Sequence, residues 1–308
     1  MREDAAGAES AHLDERERVQ AAEHAAPQAL VIHEVVREEG ELELRRRNVA
    51  LVWSGLAAGL SMGFSLLTLS LLQAHLPAQP WRQLLDSWGY CVGFVIAILG
   101  RQQLFTESTL TVVLPLMVRR DVPTLLSVLR VWGIVLAANL IGTFSFALLI
   151  SPQHLFDENV RTALVEIGNE IIGGQLGFKF VKAVLAGWLI ALMVWLLPSA
   201  RSARLFVILL LTYVVAVARL PHIIAGSVEA SFAVITGHAA ISDYVLRFLL
   251  PTLIGNTIGG VALVGFLNHA PLAPELQNEA EDSELGKSSA KRSKTPKASR
   301  KSQSHNRK

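Results

Sequence analysis

The chain has 308 residues, of which 51% are hydrophobic and only 18% charged, against about 25% charge in a typical soluble protein. The deficit is local, because residues 1–47 and 275–308 are densely charged and the middle is nearly bare; this predicts one membrane domain with two polar tails rather than two soluble domains. The formal charge of +2 hides an acidic N-terminus and a basic C-terminus, the single Cys91 excludes an intrachain disulfide, and no Cys/His cluster has metal-ligand spacing.

Residues 9–47 mix Glu, Arg, Ala and Leu and predict a charged helix that ends at Arg45-Arg46-Arg47. They contain no apolar core, so no signal peptide is expected. Six long apolar segments follow, and a span needs about 20 residues. Val49–Leu72, Val131–Ile150 and Phe248–Phe266 are charge-free. Trp88–Met117 is interrupted by Arg101 and Glu107, and Leu205–Ile235 by Arg219, Pro221, His222 and Glu229. Ala183–Leu197 follows Lys182 and is expected to start earlier, near Leu176. Lipid-facing spans must be helices, since an unpaired backbone amide in hydrocarbon costs several kcal/mol.

The C-terminal tail is rich in Ser and Lys, with Lys287, Lys291, Arg292, Lys294, Lys297, Arg300 and Lys301, and reads as disordered. Beside a membrane its charge is expected to meet anionic lipid heads rather than nucleic acid. Arg45–Arg47, Arg119, Arg120, Arg201, Arg204 and this tail fall on one side of the six spans. Lys179 and Lys182 count mildly against, but the balance predicts both termini in the cytoplasm. The boundaries are therefore 1–47 for a cytoplasmic charged helix, 48–270 for a six-span membrane channel domain, and 271–308 for a disordered basic cytoplasmic tail.

Spans 2 and 5 carry polar residues near mid-length, in Gly100–Leu110 and Ala218–Val228. They are the second members of spans 1–3 and 4–6, and three spans per half means that the halves insert in opposite orientations. Interrupted segments at corresponding places in inverted halves point to a midplane site. Spans 3 and 6 echo each other as well, with Asn139-Leu140-Ile141-Gly142 against Asn256-Thr257-Ile258-Gly259. Thr106 is expected to cap a new half-helix and Pro221 to begin another. Two positive helix ends aimed inward favour an anion. The plainer alternative is a pair of kinked helices with no conduction role.

His222 lies beside Pro221 near the middle of a span, where an ionisable side chain is a functional candidate. A neutral structural histidine is the alternative. Arg101 and Arg219 sit just before the two breaks and need partners, for which Glu107 and Glu229 are nearest in sequence. Either they pin the breaks as ion pairs, or one draws anions inward.

These residues resemble the formate/nitrite transporter family. The resemblance runs from about Val49 to Leu267. It rests on Leu104-Phe105-Thr106, on Asn139–Gly142, on KAVLAGWLIALMVWLL from Lys182, on His222, and on IGNTIGGVALVGF at Ile254–Phe266. The variant GRQQLFTE from Gly100 resembles the YfdC-type branch of inner-membrane proteins. The resemblance implies an all-α membrane protein in which six transmembrane helices form two inverted three-helix repeats with helices 2 and 5 broken, an aquaporin-like protomer. Each protomer would have its own pore within a homopentamer in the inner membrane, with Gly55, Gly59 and Gly63 among the small residues at protomer contacts. It further implies pore roles for Thr106 and His222, a constriction at Leu104 and Phe105, and apolar narrowing at Tyr90, Phe94 and Val215.

The sequence also departs from the family pattern. An acidic position before Leu104 is Gln103, a vestibule lysine aligns with Gln175, an asparagine aligns with Gly226, a phenylalanine with Val215, and two glycines with Arg101 and Arg219. The expected function is passage of small monovalent anions of formate, nitrite or acetate size, proton-linked through His222. A channel for small neutral solutes and a non-conducting scaffold are the alternatives. No cofactor, metal or nucleic-acid partner is expected. No nucleophile–base pair or phosphate loop points to an enzyme, and the glycines of Gly255–Gly265 are expected to serve helix packing.

Overall fold

The computed structural model describes residue 10, residues 12–24 and residues 27–272; the basic cluster from Lys287 onward lies outside them. Twelve helical runs occur in these residues: α1 (Glu15–His24), α2 (Ala29–Arg45), α3 (Asn48–His75), α4 (Arg82–Leu99), α5 (Phe105–Thr111), α6 (Val113–Arg119), α7 (Val122–Ile150), α8 (Glu158–Ile172), α9 (Leu176–Ala200), α10 (Arg204–Val217), α11 (Ile223–Ile235) and α12 (Ile241–His269). A short 3-10 turn at Arg201–Ala203 joins α9 to α10, and α12 contains two π-helical stretches, Tyr244–Leu249 and Gly259–Phe266. No strand occurs among the described residues. The helical unit runs to His269.

This is an all-helical membrane protein. Four helical runs are long and apolar enough to cross a bilayer: Asn48–His75, Val122–Ile150, Leu176–Val217 and Ile241–His269. A helix pairs the backbone polar groups of its interior within itself, which is what a medium without water requires. The run from Leu176 begins where the sequence predicted. Its length of 42 residues comes from joining α9 to α10 through a corner, where Pro198 removes a helical donor and Arg201 turns the chain with φ +37°.

The polar ends of the bundle are capped by side chains. Asp121 accepts from the Thr124 amide at 2.7 Å and starts α7, and Asp157 accepts from the Val160 amide at 3.0 Å and starts α8. These are ordinary N-caps, each satisfying one of the free amides of a first turn.

Close approach of backbones holds the bundle together. A Cβ on Gly59 would collide with the carbonyl oxygen of Asn139, and a Cβ on Gly187 with that of Asn256. Thus α3 lies directly on α7, and α9 directly on α12. Gly55 and Gly63 face α7 in the same way, at Ala138 and Phe146. These three glycines therefore pack helices within one protomer and are not available for protomer contacts, which corrects the sequence expectation. Gly255 and Gly259 do serve helix packing, against Ala183 and Val184 of α9.

The N-terminal segment departs from the single charged helix expected. Pro27 ends any continuous helix, since its ring disfavours helical backbone in the preceding residue, and α2 starts afresh at Ala29. Nor is α2 solvated all round. His33, Val36, Gly40 and Leu44 form a buried stripe at helical spacing. Gly40 is so close to α5 that a Cβ would strike the Thr111 carbonyl.

Candidate pore site

Two breaks organise the interior. Between α4 and α5, and between α10 and α11, the chain leaves the helix for five residues. The first helix of each pair closes in the same manner. The Gln102 amide donates to Ala97 O at 2.9 Å and the Arg101 amide to Ile98 O at 3.1 Å; the Leu220 amide donates to Val215 O and the Arg219 amide to Ala216 O, both at 2.9 Å. This is the Schellman pattern, whose left-handed residue is usually glycine. Here it is arginine both times, Arg101 with φ +52° and Arg219 with φ +48°.

A break leaves backbone groups without helical partners in a dry interior. Two asparagines satisfy them. Asn139 accepts from the Phe105 amide at 2.9 Å and donates to Gln103 O at 2.9 Å and Gly55 O at 2.7 Å. Asn256 accepts from the Ile223 amide at 2.8 Å and donates to Pro221 O at 3.1 Å and Ala183 O at 2.7 Å.

The second helices begin two residues away from where their sequences predicted. Thr106 is not the cap of α5: the capping position is Leu104, whose side chain cannot accept, so Asn139 does so from across the bundle. Pro221 does not begin α11. His222 caps it, with Nδ1 accepting from the Ala225 amide at 3.2 Å. A ring that accepts at Nδ1 carries its proton on Nε2, and Nε2 lies 2.8 Å from Thr106 Oγ1. The threonine hydroxyl is thus the acceptor of a histidine N–H, and this one hydrogen bond joins the two breaks. The Phe94 ring meets the His222 ring edge to face, at 4.9 Å between centroids and 68°, and Tyr90 packs behind it at 5.4 Å.

A cavity of about 450 Å³ opens at the end of the bundle where α3 finishes and α4 and α9 begin, and it reaches inward to Pro221 and His222. Tyr90 and Val215 line it. Phe94, Leu104, Phe105 and Thr106 do not; they are buried in the packed stretch beyond it, each at 1% exposure or less.

The arginines also differ from expectation. Neither pairs with Glu107 or Glu229. Arg101 donates to Glu39 of α2 at 3.1 Å, and Arg219 pairs with Glu170 of α8. Both guanidinium groups are more than half exposed, because a left-handed cap residue points its side chain away from the helix it ends. Arg219 lines the cavity and Arg101 does not.

Several cavity residues escaped the sequence reading. Lys179 donates to Ile172 O at 2.7 Å and Arg247 O at 2.8 Å, and Lys182, Asp86, Glu170 and Glu229 join it in the lining. The two lysines stand in the same cavity as Gln175, the residue aligned with the family's vestibule lysine. Their spacing from Gln175 by about one and two helical turns was the available signal.

At the opposite end, α2 is bonded to the first break. Glu43 accepts from Thr111 Oγ1 at 2.9 Å and Ser108 Oγ at 3.2 Å, and Arg46 donates to Gln103 at 2.7 Å. Burial pushes the Glu43 carboxyl above its ordinary range, opposed by these hydrogen bonds.

A helical membrane protein with two helix breaks joined through a threonine and a histidine, and entered from a vestibule, is built as a transport protein. The chain belongs to the formate/nitrite transporter family, whose sequence profile matches residues 30–270. It is 41% identical over 251 residues to the inner membrane protein YfdC of Escherichia coli (strain K12), covering 82% of this chain and 81% of that one. It is 26% identical over 243 residues to the formate channel BtFdhC of Bacillus thuringiensis, covering 76% and 92%. Among solved structures, a pentameric formate channel with formate bound superposes with a TM-score of 0.62 at 17% identity, covering 73% of this chain and 98% of that one.

Proposed function

We propose that the protein passes small monovalent anions of the formate, nitrite or acetate class across the inner membrane. The protomer has six spans in two inverted repeats, with spans 2 and 5 as the broken pairs α4/α5 and α10/α11. Both termini are cytoplasmic, following the arginine bias. Five protomers assemble, each with its own pore; the superposed formate channel is likewise a pentamer.

The observation that carries this reading is the Thr106–His222 hydrogen bond at 2.8 Å. It lies at the inner end of a vestibule lined by three basic side chains, Lys179, Lys182 and Arg219, and three acidic ones, Asp86, Glu170 and Glu229. The amides of the first turn of α11 and its helix dipole add positive potential without a mobile charge. Beyond His222 the path is packed with Phe94, Leu104 and Phe105, where a bare anion is costly. A proton accompanying the anion removes that cost.

The test is flux of a substrate panel into liposomes holding the purified protein, at several pH values. Formate, nitrite or acetate should cross faster as the outside is acidified, and Thr106→Val should slow them. Equal passage of urea or glycerol with no acid flux would instead make this a pore for neutral solutes.

A further inference from the structure

Glu229 lies seven residues after His222, and Gly226 four after it. All three line the vestibule from one face of α11. Glu229 is 5% exposed, and its carboxyl makes no hydrogen bond and no ion pair among the described residues. Its backbone is fixed from behind, since a Cβ on Gly168 of α8 would come within 2.7 Å of the Glu229 carbonyl. Gly226, between them in sequence, packs on Phe248, whose ring a Cβ there would meet at 2.6 Å.

The other groups around this carboxyl are largely committed. From α4, Asp86 faces Arg82 at 4.0 Å, and Tyr90 is packed on Phe94. From α8, Glu170 holds Arg219. From α9, Lys179 is held by two carbonyls, while Lys182 lines the cavity without a partner among the described residues. Among the other elements packed on α11, α5 contributes Glu107, and α12 contributes Tyr244, whose hydroxyl donates to Ser227 at 3.2 Å, and Arg247. The segments of α3 and α7 against α11 bring the neutral Gln73 and Asn139. His222 has both ring nitrogens engaged, at Ala225 and Thr106. To take a second proton it would have to give up the cap on α11.

We infer that Glu229 is the vestibule's proton-exchange group, handing its carboxyl proton to an incoming weak-acid anion so that the neutral acid enters the packed stretch. This rests on the reading of the chain as a path for such anions. The O–H bond of the Glu229 carboxyl breaks as an O–H bond forms on the anion. The negative charge stays on Glu229 and is discharged by a hydronium ion from the same vestibule. One anion and one proton thus leave the same side together, and no redox change occurs. The substrate class follows: an anion must be basic enough to take a proton from a carboxylic acid. Formate, acetate and nitrite qualify; chloride and nitrate do not.

The experiment compares wild-type protein, Glu229→Gln and Glu229→Asp in liposomes, with formate, acetate and nitrate, across pH. Glu229→Gln should lose roughly a hundredfold in formate flux, the low end of what a positioned proton donor contributes, and its residual flux should no longer follow pH. Glu229→Asp should keep the pH dependence. Infrared difference spectra on adding formate should show a protonated carboxyl band disappear in wild type and no such loss in Glu229→Gln. Wild-type flux and pH profile in an assembled Glu229→Gln would overturn the inference. If that variant does not assemble, an unchanged carboxyl band in wild type would overturn it equally. Wild-type protein that passes no weak acid faster than empty liposomes would instead defeat the underlying functional reading.

Discussion

Asn139 and Asn256 make the same three hydrogen bonds at the two helix breaks, each accepting the first amide of the following helix and donating to one carbonyl in the break and one in a neighbouring helix. Both side chains are wholly buried. Removing either leaves one amide and two carbonyls unsatisfied, at about 1–3 kcal/mol each. Asn139→Ala and Asn256→Ala should each lower the thermal midpoint in detergent strongly, and to a similar degree. Asn→Asp at either site keeps the acceptor and loses the two donors, so it should fall between wild type and Ala. Size-exclusion melting curves of the four variants check the order.

The docking of α2 should depend on pH. His33 is fully buried, with Nε2 3.0 Å from His269 Nδ1 and Nδ1 3.2 Å from Glu34. Burial lowers the His33 pKa from its ordinary 6.5, only partly offset by Glu34. The undocked segment therefore binds more protons than the docked one, and docking stability rises with pH. It is fully present above about 6.5 and is lost progressively as the pH falls toward the lowered value. Hydrogen exchange in Ala29–Arg45 should accelerate at acid pH beyond the intrinsic chemical rate. His33→Gln should flatten that dependence.

Much of this arrangement was legible in the chain. The apolar runs marked the four helical stretches long enough to cross a bilayer, because a membrane enforces length and composition, and the polar interruptions marked both breaks. The echo of Asn139 and Asn256 marked their shared role without revealing what they bond. The details were lost where tertiary contacts outweigh local rules. Thr106 reads as a cap by residue type, yet Asn139 reaches in from another helix and makes a local cap unnecessary. Glu107 and Glu229 are nearest to the arginines in sequence, but an arginine in the left-handed conformation points outward, to Glu39 and Glu170. Gly55, Gly59 and Gly63 give the spacing of a close helix contact without saying which helix answers it. The docking of α2 through Gly40 and Glu43 was invisible because its charges read as a solvated face.

Arg101 sits at φ +52°, which costs an L-residue about 1–2 kcal/mol and glycine little. Its ion pair with Glu39 is 69% exposed on the arginine side and is worth at most about 1 kcal/mol. The backbone effect should therefore win. Arg101→Gly should be at least as stable as wild type, whereas Arg101→Ala should be less stable than Arg101→Gly by about 1 kcal/mol. Both variants lose the ion pair, so their difference isolates the conformation. Melting midpoints that are equal for the two would remove the argument.

Arg219 and Glu170 form their ion pair at the vestibule lining, each about half exposed. A pair that open to water contributes about 0–1 kcal/mol to stability, so neither Arg219→Gln nor Glu170→Gln should impair assembly. Their effects on anion flux should have opposite signs. Arg219→Gln removes a positive charge from the vestibule and should slow formate entry at low ionic strength. Glu170→Gln removes the carboxylate that neutralises Arg219 and should speed it. Both differences should fade in salt, as the screening length falls from about 10 Å at 0.1 M to about 3 Å at 1 M. Stopped-flow flux at those two ionic strengths, with assembly verified by native mass spectrometry, separates the possibilities. Slower flux in both variants would mean that the pair shapes the vestibule rather than setting its charge, and unchanged flux in both would leave Arg219 with no part in capturing the anion.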